Sequence, residues 1–361
     1  MNKIAIAAGC VLMLSIGSRA ESWTESIKVQ GDLRYRHELI DQEGDEVRNR
    51  HRIRARIGIE GKVNETTQAF IHLATGSDDP VSTNQTLDDG FSGKSIMLNM
   101  AYLKIQPEQI TGLSISGGKF ENPFFKPGKS ELIWDSDFNP EGGVANFQKD
   151  FNNITLNVIG AGLWIDERSS DKDSWLAAGQ GLMKFQMNEK KSNVAFGGGY
   201  FNYVNTAGYK SFFDSENPMG NSVDTNGHYT EDYQLLELCG EGSHHFGKIP
   251  VTVMGDFITN TAADSNNTGW LAGIIIGKAK KPGSWGFRYI YRQLEKDAVI
   301  GMYTDSDFRG GGTDAKGHEM GGDYQIAGNS TFSVTYFINT IGLGDAQTDF
   351  NRLQVDLQLK F

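Results

Sequence analysis

Alternation of apolar and polar residues constrains this chain more than any other feature. At its end Leu353, Val355, Leu357, Leu359 and Phe361 alternate with Arg352, Gln354, Asp356, Gln358 and Lys360. Near its start Ile27, Val29, Leu33, Tyr35 and Leu39 alternate with Lys28, Gln30, Asp32, Arg34, Arg36 and Glu38, with Gly31 and His37 on the apolar phase. A period of two puts successive side chains on opposite faces of an extended strand. Wound as a helix, either segment would scatter its apolar residues around the cylinder.

Sixteen such segments follow one another, near 27–39, 51–62, 66–75, 95–106, 111–120, 141–150, 153–165, 174–187, 192–204, 230–245, 249–260, 268–280, 284–294, 317–326, 330–341 and 349–361. Those at 95–106, 192–204 and 230–245 carry apolar residues on both phases. Short connections near Asn64 and at 107–110, 152–153, 188–191, 246–248, 281–283 and 327–329 alternate with longer polar ones. The long ones are 40–50, 76–94, 121–140, 166–173, 205–229, 261–267, 295–316 and 342–348. Tight turns at one end and long loops at the other are the habit of outer-membrane barrels. In lipid no water satisfies a free N–H or C=O, so strands span a membrane only as a closed barrel. About 9–11 tilted residues suffice for each crossing. The expected fold is therefore all-β: a transmembrane antiparallel up-and-down β-barrel of about 16 strands, with short periplasmic turns and long external loops. Its outward phase meets acyl chains and its polar inward phase meets water. Trp164, Trp175, Trp270 and Trp285 fall at strand ends, where such barrels carry aromatic belts.

The start of the chain reads as an export signal. Met1-Asn2-Lys3 is basic, Ile4 to Ile16 is apolar, and Ser18-Arg19-Ala20 offers small residues for cleavage. Residues 1–20 are read as a cleaved signal peptide and 21–361 as one transmembrane barrel domain. Losing Lys3 and Arg19 takes the formal charge from −11 to −13. Cys239 then stands alone and cannot form an internal disulfide; it reads as a small packed residue. The longest apolar run of the remainder, Leu271 to Gly277, is too short for a membrane helix.

Several sequence signals of other functions fail. His318-Glu319-Met320-Gly321-Gly322 lacks the second histidine of a metalloprotease helix and lies on a strand pattern. His244 and His245 are adjacent and point to opposite faces. Gly197-Gly198-Gly199 and Gly310-Gly311-Gly312 precede no helix, so neither marks a phosphate loop. Asp78-Asp79, Asp88-Asp89 and the two Asp-Ser-Asp-Phe runs at 135 and 305 are acidic loop patches that either bind divalent cations near lipopolysaccharide or are simply solvated; they lack calcium-loop spacing. An acidic chain gives no sign of nucleic-acid binding. No catalytic residue, metal ligand or cofactor is assigned.

Gly118-Lys119-Phe120-Glu121-Asn122-Pro123-Phe124-Phe125, then Trp134-Asp135-Ser136-Asp137-Phe138-Asn139-Pro140-Glu141-Gly142-Gly143, resembles the strand-loop-strand stretch of the bacterial outer-membrane porins grouped as the "putative porin" family. Gly31-Asp32-Leu33-Arg34-Tyr35-Arg36 and the arginine-rich second strand are also similar. A terminal Phe361 on the apolar phase resembles the assembly signal of outer-membrane barrels. The resemblance implies a water-filled channel in the bacterial outer membrane, passing small hydrophilic solutes and ions by passive diffusion. It implies outer-membrane lipid, lipopolysaccharide and the barrel-assembly machinery as partners, and a homotrimer as assembly. Two other readings stand beside it: a barrel enzyme of lipase or protease type, and a soluble secreted glycan-binding β protein.

The second strand holds the sharpest charge pattern. Arg48, Arg50, Arg52, Arg54 and Arg56 share one phase, opposite Ile53, Ala55, Ile57 and Ile59, and Arg34 and Arg36 share the polar phase of the first strand. An arginine facing lipid at mid-depth costs roughly 2–4 kcal/mol, so this row is expected to line the pore as a basic wall. It either carries part of the conduction or pairs with lumenal acids and only holds the wall. By resemblance to general porins, the 121–140 loop folds inward as a constriction carrying Glu121, Lys126, Lys129, Glu131, Asp135, Asp137 and Glu141; the alternative is an ordinary outer loop. The net charge favours cations and the arginine row opposes that, so solute and ion preference stay open.

Overall fold

In a computed structural model of the chain, residues 26–187, 191–344 and 346–361 are described. The expected signal peptide, and most of the turn read at 188–191, lie outside them. The sixteen segments are sixteen strands: β1 (Ile27–Gln42), β2 (Arg48–Lys62), β3 (Thr67–Thr75), β4 (Ile96–Ile105), β5 (Leu113–Lys119), β6 (Glu141–Phe151), β7 (Ile154–Asp166), β8 (Ser174–Met187), β9 (Ser192–Val204), β10 (Gln234–Phe246), β11 (Ile249–Asn260), β12 (Thr268–Gly277), β13 (Trp285–Leu294), β14 (Ala315–Ala327), β15 (Ser330–Ile341) and β16 (Thr348–Lys360). Each pairs antiparallel with its neighbours in sequence, and β16 returns to β1 in register from Asp32 opposite Lys360 to Gln42 opposite Phe350. The sheet is closed. A two-residue segment, Gln85–Thr86, adds to β2 opposite Ile53 and Arg52.

The alternation becomes two faces. Val29, Leu33, Tyr35, Ile57, Ile59, Leu357 and Leu359 stand exposed on the outer surface, while Arg54 between them in phase is 8% exposed and faces inward. Trp164, Trp175, Trp270 and Trp285 are exposed, as a lipid-facing belt requires. Cys239 is buried on β10.

The interior corrects one expectation. The inward phase is polar on β1, β2 and β16, but not all the way round. Leu163, Leu176, Phe201, Leu235, Ile258, Leu271 and Ile290 are buried on the far wall. Packed with them are Phe124, Trp134 and Phe138 from the 120–140 loop, Phe212 and Tyr229 from the 205–233 loop, and Ile300 and Tyr303 from the 295–314 loop. Together they make one apolar core inside the barrel. That is why the segments at 192–204 and 230–245 are apolar on both phases: one face meets lipid and the other meets loops. Tyr102 of β4 packs against the same core. The strand read from residue 230 begins at Gln234, because Tyr229 and Tyr233 belong to that packing.

The seam between β1 and β16 ends on a glycine. Gly31 N–H donates to Phe361 O at 2.9 Å, and Phe361 N–H donates to Gly31 O at 3.0 Å. The Phe361 ring lies so close that a Cβ on Gly31 would stand 2.6 Å from it and would also strike the Arg56 carbonyl. Gly31→Val should therefore destabilise the closed barrel by roughly 1–3 kcal/mol. Urea unfolding of the refolded protein in detergent would report this; an unchanged midpoint would remove the close approach as a requirement.

Candidate functional site

The inward row on β1 and β2 is held by carboxylates. Arg36 binds Asp356 of β16 with two bonds of 2.7 Å, Nε to Oδ1 and Nη2 to Oδ2, and reaches Asp307 at 3.1 Å. Arg54 reaches Asp32 at 2.9 Å and Arg56 reaches it at 2.7 Å. Glu38 has no exposed surface and is ringed by arginines: Arg352 at 2.9 Å, Arg36 at 3.4 Å, Arg52 at 3.7 Å, and Arg50 in direct contact. Arg34 is more loosely paired, 3.8 Å from Asp356. Two-residue spacing on neighbouring strands stacks these groups on one wall. Burying a charge is costly unless it is paired and hydrogen-bonded, and here the partners come from within the same wall and from two loops.

The 120–140 loop touches strands all around the barrel. Gln180 of β8 accepts from Phe125 N–H and donates to Phe125 O, at 2.7 and 3.1 Å. Glu241 of β10 accepts from Gly128 N–H at 2.8 Å. Arg292 of β13 donates to Glu131 O at 3.1 Å. Asp137 lies 3.2 Å from Arg56 of β2. A segment in contact with β2, β8, β10 and β13 at once crosses the interior. Trp134 and Phe138 stack with centroids 5.3 Å apart, and Phe138 packs on Tyr303 at 4.8 Å.

Crossing from the opposite side is the 295–314 loop, which the sequence reading left outside. Its Asp305-Ser306-Asp307-Phe308 repeats the local turn of Asp135-Ser136-Asp137-Phe138. In each, the first aspartate accepts the N–H of the second, at 2.7 Å for Asp135 and 2.8 Å for Asp305. The turns also meet: Asp135 accepts Ser306 N–H at 2.8 Å, and Asp135 N–H donates to Tyr303 O at 2.8 Å. Each second aspartate serves arginines, Asp137 those of β2 and Asp307 both Arg36 and Arg352. The run at 305 was expected as a solvated outer patch, whereas the run at 135 was read both as an acidic loop patch and as part of an inward constriction. Both are lumenal, because their flanking aromatics, Phe138 and Tyr303, are buried in the core.

A polar cavity of about 300 Å³ lies between the arginine-bearing strands and the two loops, with Asp137, Asp307 and Asp356 among its acids and Arg288 beside Glu319. Arg34, Arg36 and Arg54 border one part of it, and Glu131, Asp135, Asp305 and Glu319 another. Carboxylate oxygens of Glu131, Asp135 and Asp305 lie within 4.8 Å of one another, beside Arg292, which binds Asp305 at 2.7 Å. Enclosure and the charge of Asp305 push the Glu131 carboxyl up to about 8, and enclosure with Glu131 raises Asp135 as well. Enclosure acts the same way on Asp137, but Arg54 and Arg56 outweigh it and hold that carboxyl below its usual range.

The other expected loop charges divide. Lys126 donates toward the Trp134 and Asp135 carbonyls at 3.4 and 3.3 Å, and Lys129 is exposed at the edge of the same cavity. Glu121 and Glu141 are exposed and take no part in the acidic side; Glu141 pairs with Lys119 at 3.0 Å. Sequence reasoning missed Asp32, Glu38 and Asp356 as partners, although all three sit on the polar phase of the arginine-bearing strands. It also missed Glu319 of β14 and its partners on β13, Arg288 in direct contact and Arg292 at 3.6 Å.

A closed sixteen-stranded barrel whose loops fold across a charged lumen defines the class of outer-membrane porins. The family model described as "Putative porin" matches residues 39–236 and 243–361, and the chain belongs to that family. No curated protein matches it. Among solved structures it is similar to OprB of Pseudomonas putida, at 10% identity and a TM-score of 0.62, over 96% of each chain. It is also similar to OmpF of Salmonella typhi, solved in complex with daunomycin, at 13% identity and 0.57, over 94% of this chain and 99% of that one. The porin of Rhodopseudomonas blastica, as a triple mutant, aligns at 10% identity and 0.51, over 93% and 100%. The chain is thus an outer-membrane porin, not a soluble glycan-binding protein.

Trp134 is the largest fully buried side chain of the core that holds the crossing loop. Trp134→Ala should destabilise the fold by about 3–5 kcal/mol and loosen the loop. A lowered urea midpoint together with noisier single-channel current is expected; a quiet channel of unchanged stability would show that the loop is held elsewhere.

Proposed function

We propose that the lumen is a narrow electrostatic filter for passive diffusion of small hydrophilic solutes and ions, with no catalytic chemistry. The basic wall is Arg34, Arg36, Arg50, Arg52, Arg54 and Arg56, and the constriction is built from the 120–140 and 295–314 loops. The observation that carries this reading is the cavity bordered by arginines on one part and carboxylates on another. Fixed charges of opposite sign across a narrow passage create a transverse field. That field orders water and favours solutes with polar groups to replace it. Export by residues 1–20, recognition of Phe361 by the barrel-assembly machinery, contact of the rims with lipopolysaccharide, and assembly as a homotrimer complete the proposal. The proposed orientation has the short turns in the periplasm and the long loops outside, which the even strand count and the alternation of short and long connections support.

Two recordings test it. In planar bilayers, replacing Arg52 and Arg54 by Ala should shift the reversal potential toward cations, since Glu38, Asp32 and Asp137 each lose one of their counter-charges. An unshifted potential would end the charged-wall idea. Separately, Glu131 is neutral below about pH 8 and charged above it. Its neighbours are Asp135, Asp305, Lys126, Glu319 and Arg292. Raising the pH from 6 to 9 should therefore increase cation preference, and Glu131→Gln should flatten that change. The same pH response in wild type and variant would assign it elsewhere.

A further inference from the structure

A second charged cavity opens at the end of the barrel that carries the long loops. It has a volume of about 440 Å³ and lies among the ends of β1, β2 and β16 and the 295–314 loop. Arg48, Arg50, Arg309 and Arg352 line it, against Asp45 and Glu46 as its acids.

The four arginines are not equivalent. Arg50 is bound to Glu38, and Arg352 to Glu38 and Asp307. Arg48 and Arg309 have no carboxylate within ion-pair distance among the described residues. Arg309 is nevertheless fixed in place: its Nη2 lies where a Cβ on Gly220 or Gly312 would come within 2.7 or 2.6 Å. Its Nε, and the Nε of Arg352, are buried and have no hydrogen-bond acceptor. Arg352 is 1% exposed.

A glycine run lies at the edge of this space. Gly310, Gly311 and Gly312 have φ of 86°, 103° and 98°, a region that other residues enter at a cost. Gly310 borders both this cavity and an adjoining one of about 170 Å³. Ser306 borders both of these and the lumenal cavity as well. The mouth therefore adjoins the constriction directly.

We infer that the mouth cavity is a docking site for small oxyanions, carboxylate or phosphate, which bind there before they enter the filter. The inference rests on the channel reading above and adds the solute class. Guanidinium groups match planar and tetrahedral oxyanions with paired donors. Arg50 and Arg352 are already paired with Glu38 and Asp307, so the guanidinium groups open to an anion at the entrance are those of Arg48 and Arg309. Arg48 and Arg309 supply the uncommitted guanidinium groups.

The test is single-channel recording of the intact protein in potassium chloride, with inorganic phosphate or succinate added to one chamber at a time. Saturable block is expected from the side of the long loops, and the stronger blocker identifies the favoured oxyanion. Arg48→Gln with Arg309→Gln should raise the half-blocking concentration at least about tenfold, the factor one charge-assisted hydrogen bond supplies. Because Arg309 packs against the 205–233 loop, Arg48→Gln alone provides a milder variant on an exposed side chain, with a rise of about threefold. Asp45→Asn with Glu46→Gln should lower the concentration. Absence of saturable block by both anions, or block equally strong in both arginine variants, would overturn the docking site and leave the channel intact. A chain that opens no channel in potassium chloride alone would overturn the channel reading with it.

Discussion

The need to pair every backbone N–H and C=O inside a lipid layer governs this molecule. A single unpaired strand edge would expose a row of such groups to hydrocarbon, at several kcal/mol each. The sheet closes because β16 meets β1 over the whole run from Asp32 to Gln42. Closure then fixes which way each residue points. Once β2 is locked between β1 and β3, the phase of Ile57 and Ile59 faces outward, and that of Arg52, Arg54 and Arg56 faces the interior. The charge cluster in the lumen follows from a constraint that does not involve charge at all.

Inside, the constraint changes. Seven or more guanidinium groups cannot share a wall without compensation, and a buried ion pair is stable only when its geometry and remaining hydrogen bonds are good. Glu38 meets that demand by sitting among four arginines. The wall does not supply enough acids alone. Asp137 and Asp307 arrive on loops from opposite sides of the barrel, in matching turns that also bind each other. The loops can deliver those charges because their aromatic residues are anchored in the apolar half of the lumen. Charge pairing on one side and apolar packing on the other position the same two loops.

This division explains what could be read from the sequence. The strands were legible because parity is a local property: Leu353 to Phe361 announces its two faces without knowledge of any partner. Even the segments that alternate poorly were informative, since 192–204 and 230–245 are apolar on both phases where the lumen is packed. The loops carried no such period. Asp135 and Glu141 look alike in sequence, yet one lies in the lumen and the other is exposed, because a strand begins at Glu141 and leaves it beside Lys119. Asp305 and Asp307 were read as solvated for the same reason. The usable signal was the repeated Asp-Ser-Asp-Phe, in which a phenylalanine beside two acids marks a turn with one buried end. Pairing of Arg36 with Asp356 spans the chain ends and becomes visible only when the register of β1 against β16 is known.

A barrel of sixteen strands is wide enough to hold an open aqueous channel. Here three loops fill much of that width and leave a polar passage along the arginine wall. Strand number therefore does not set what passes. The cavity beside that wall is lined by residues such as Glu131, Asp135 and Asp307, which lie on loops and make no contribution to the hydrogen-bonded ladder. Loops tolerate change more readily than the elements they join. The same barrel can thus be refitted for a different solute by altering the loops alone, provided that each new charge on the crossing segments still finds a partner on the wall and each anchor still fills the core. That coupling limits the refitting: removal of one aspartate from a turn leaves arginines uncompensated on a strand that cannot rotate them into lipid.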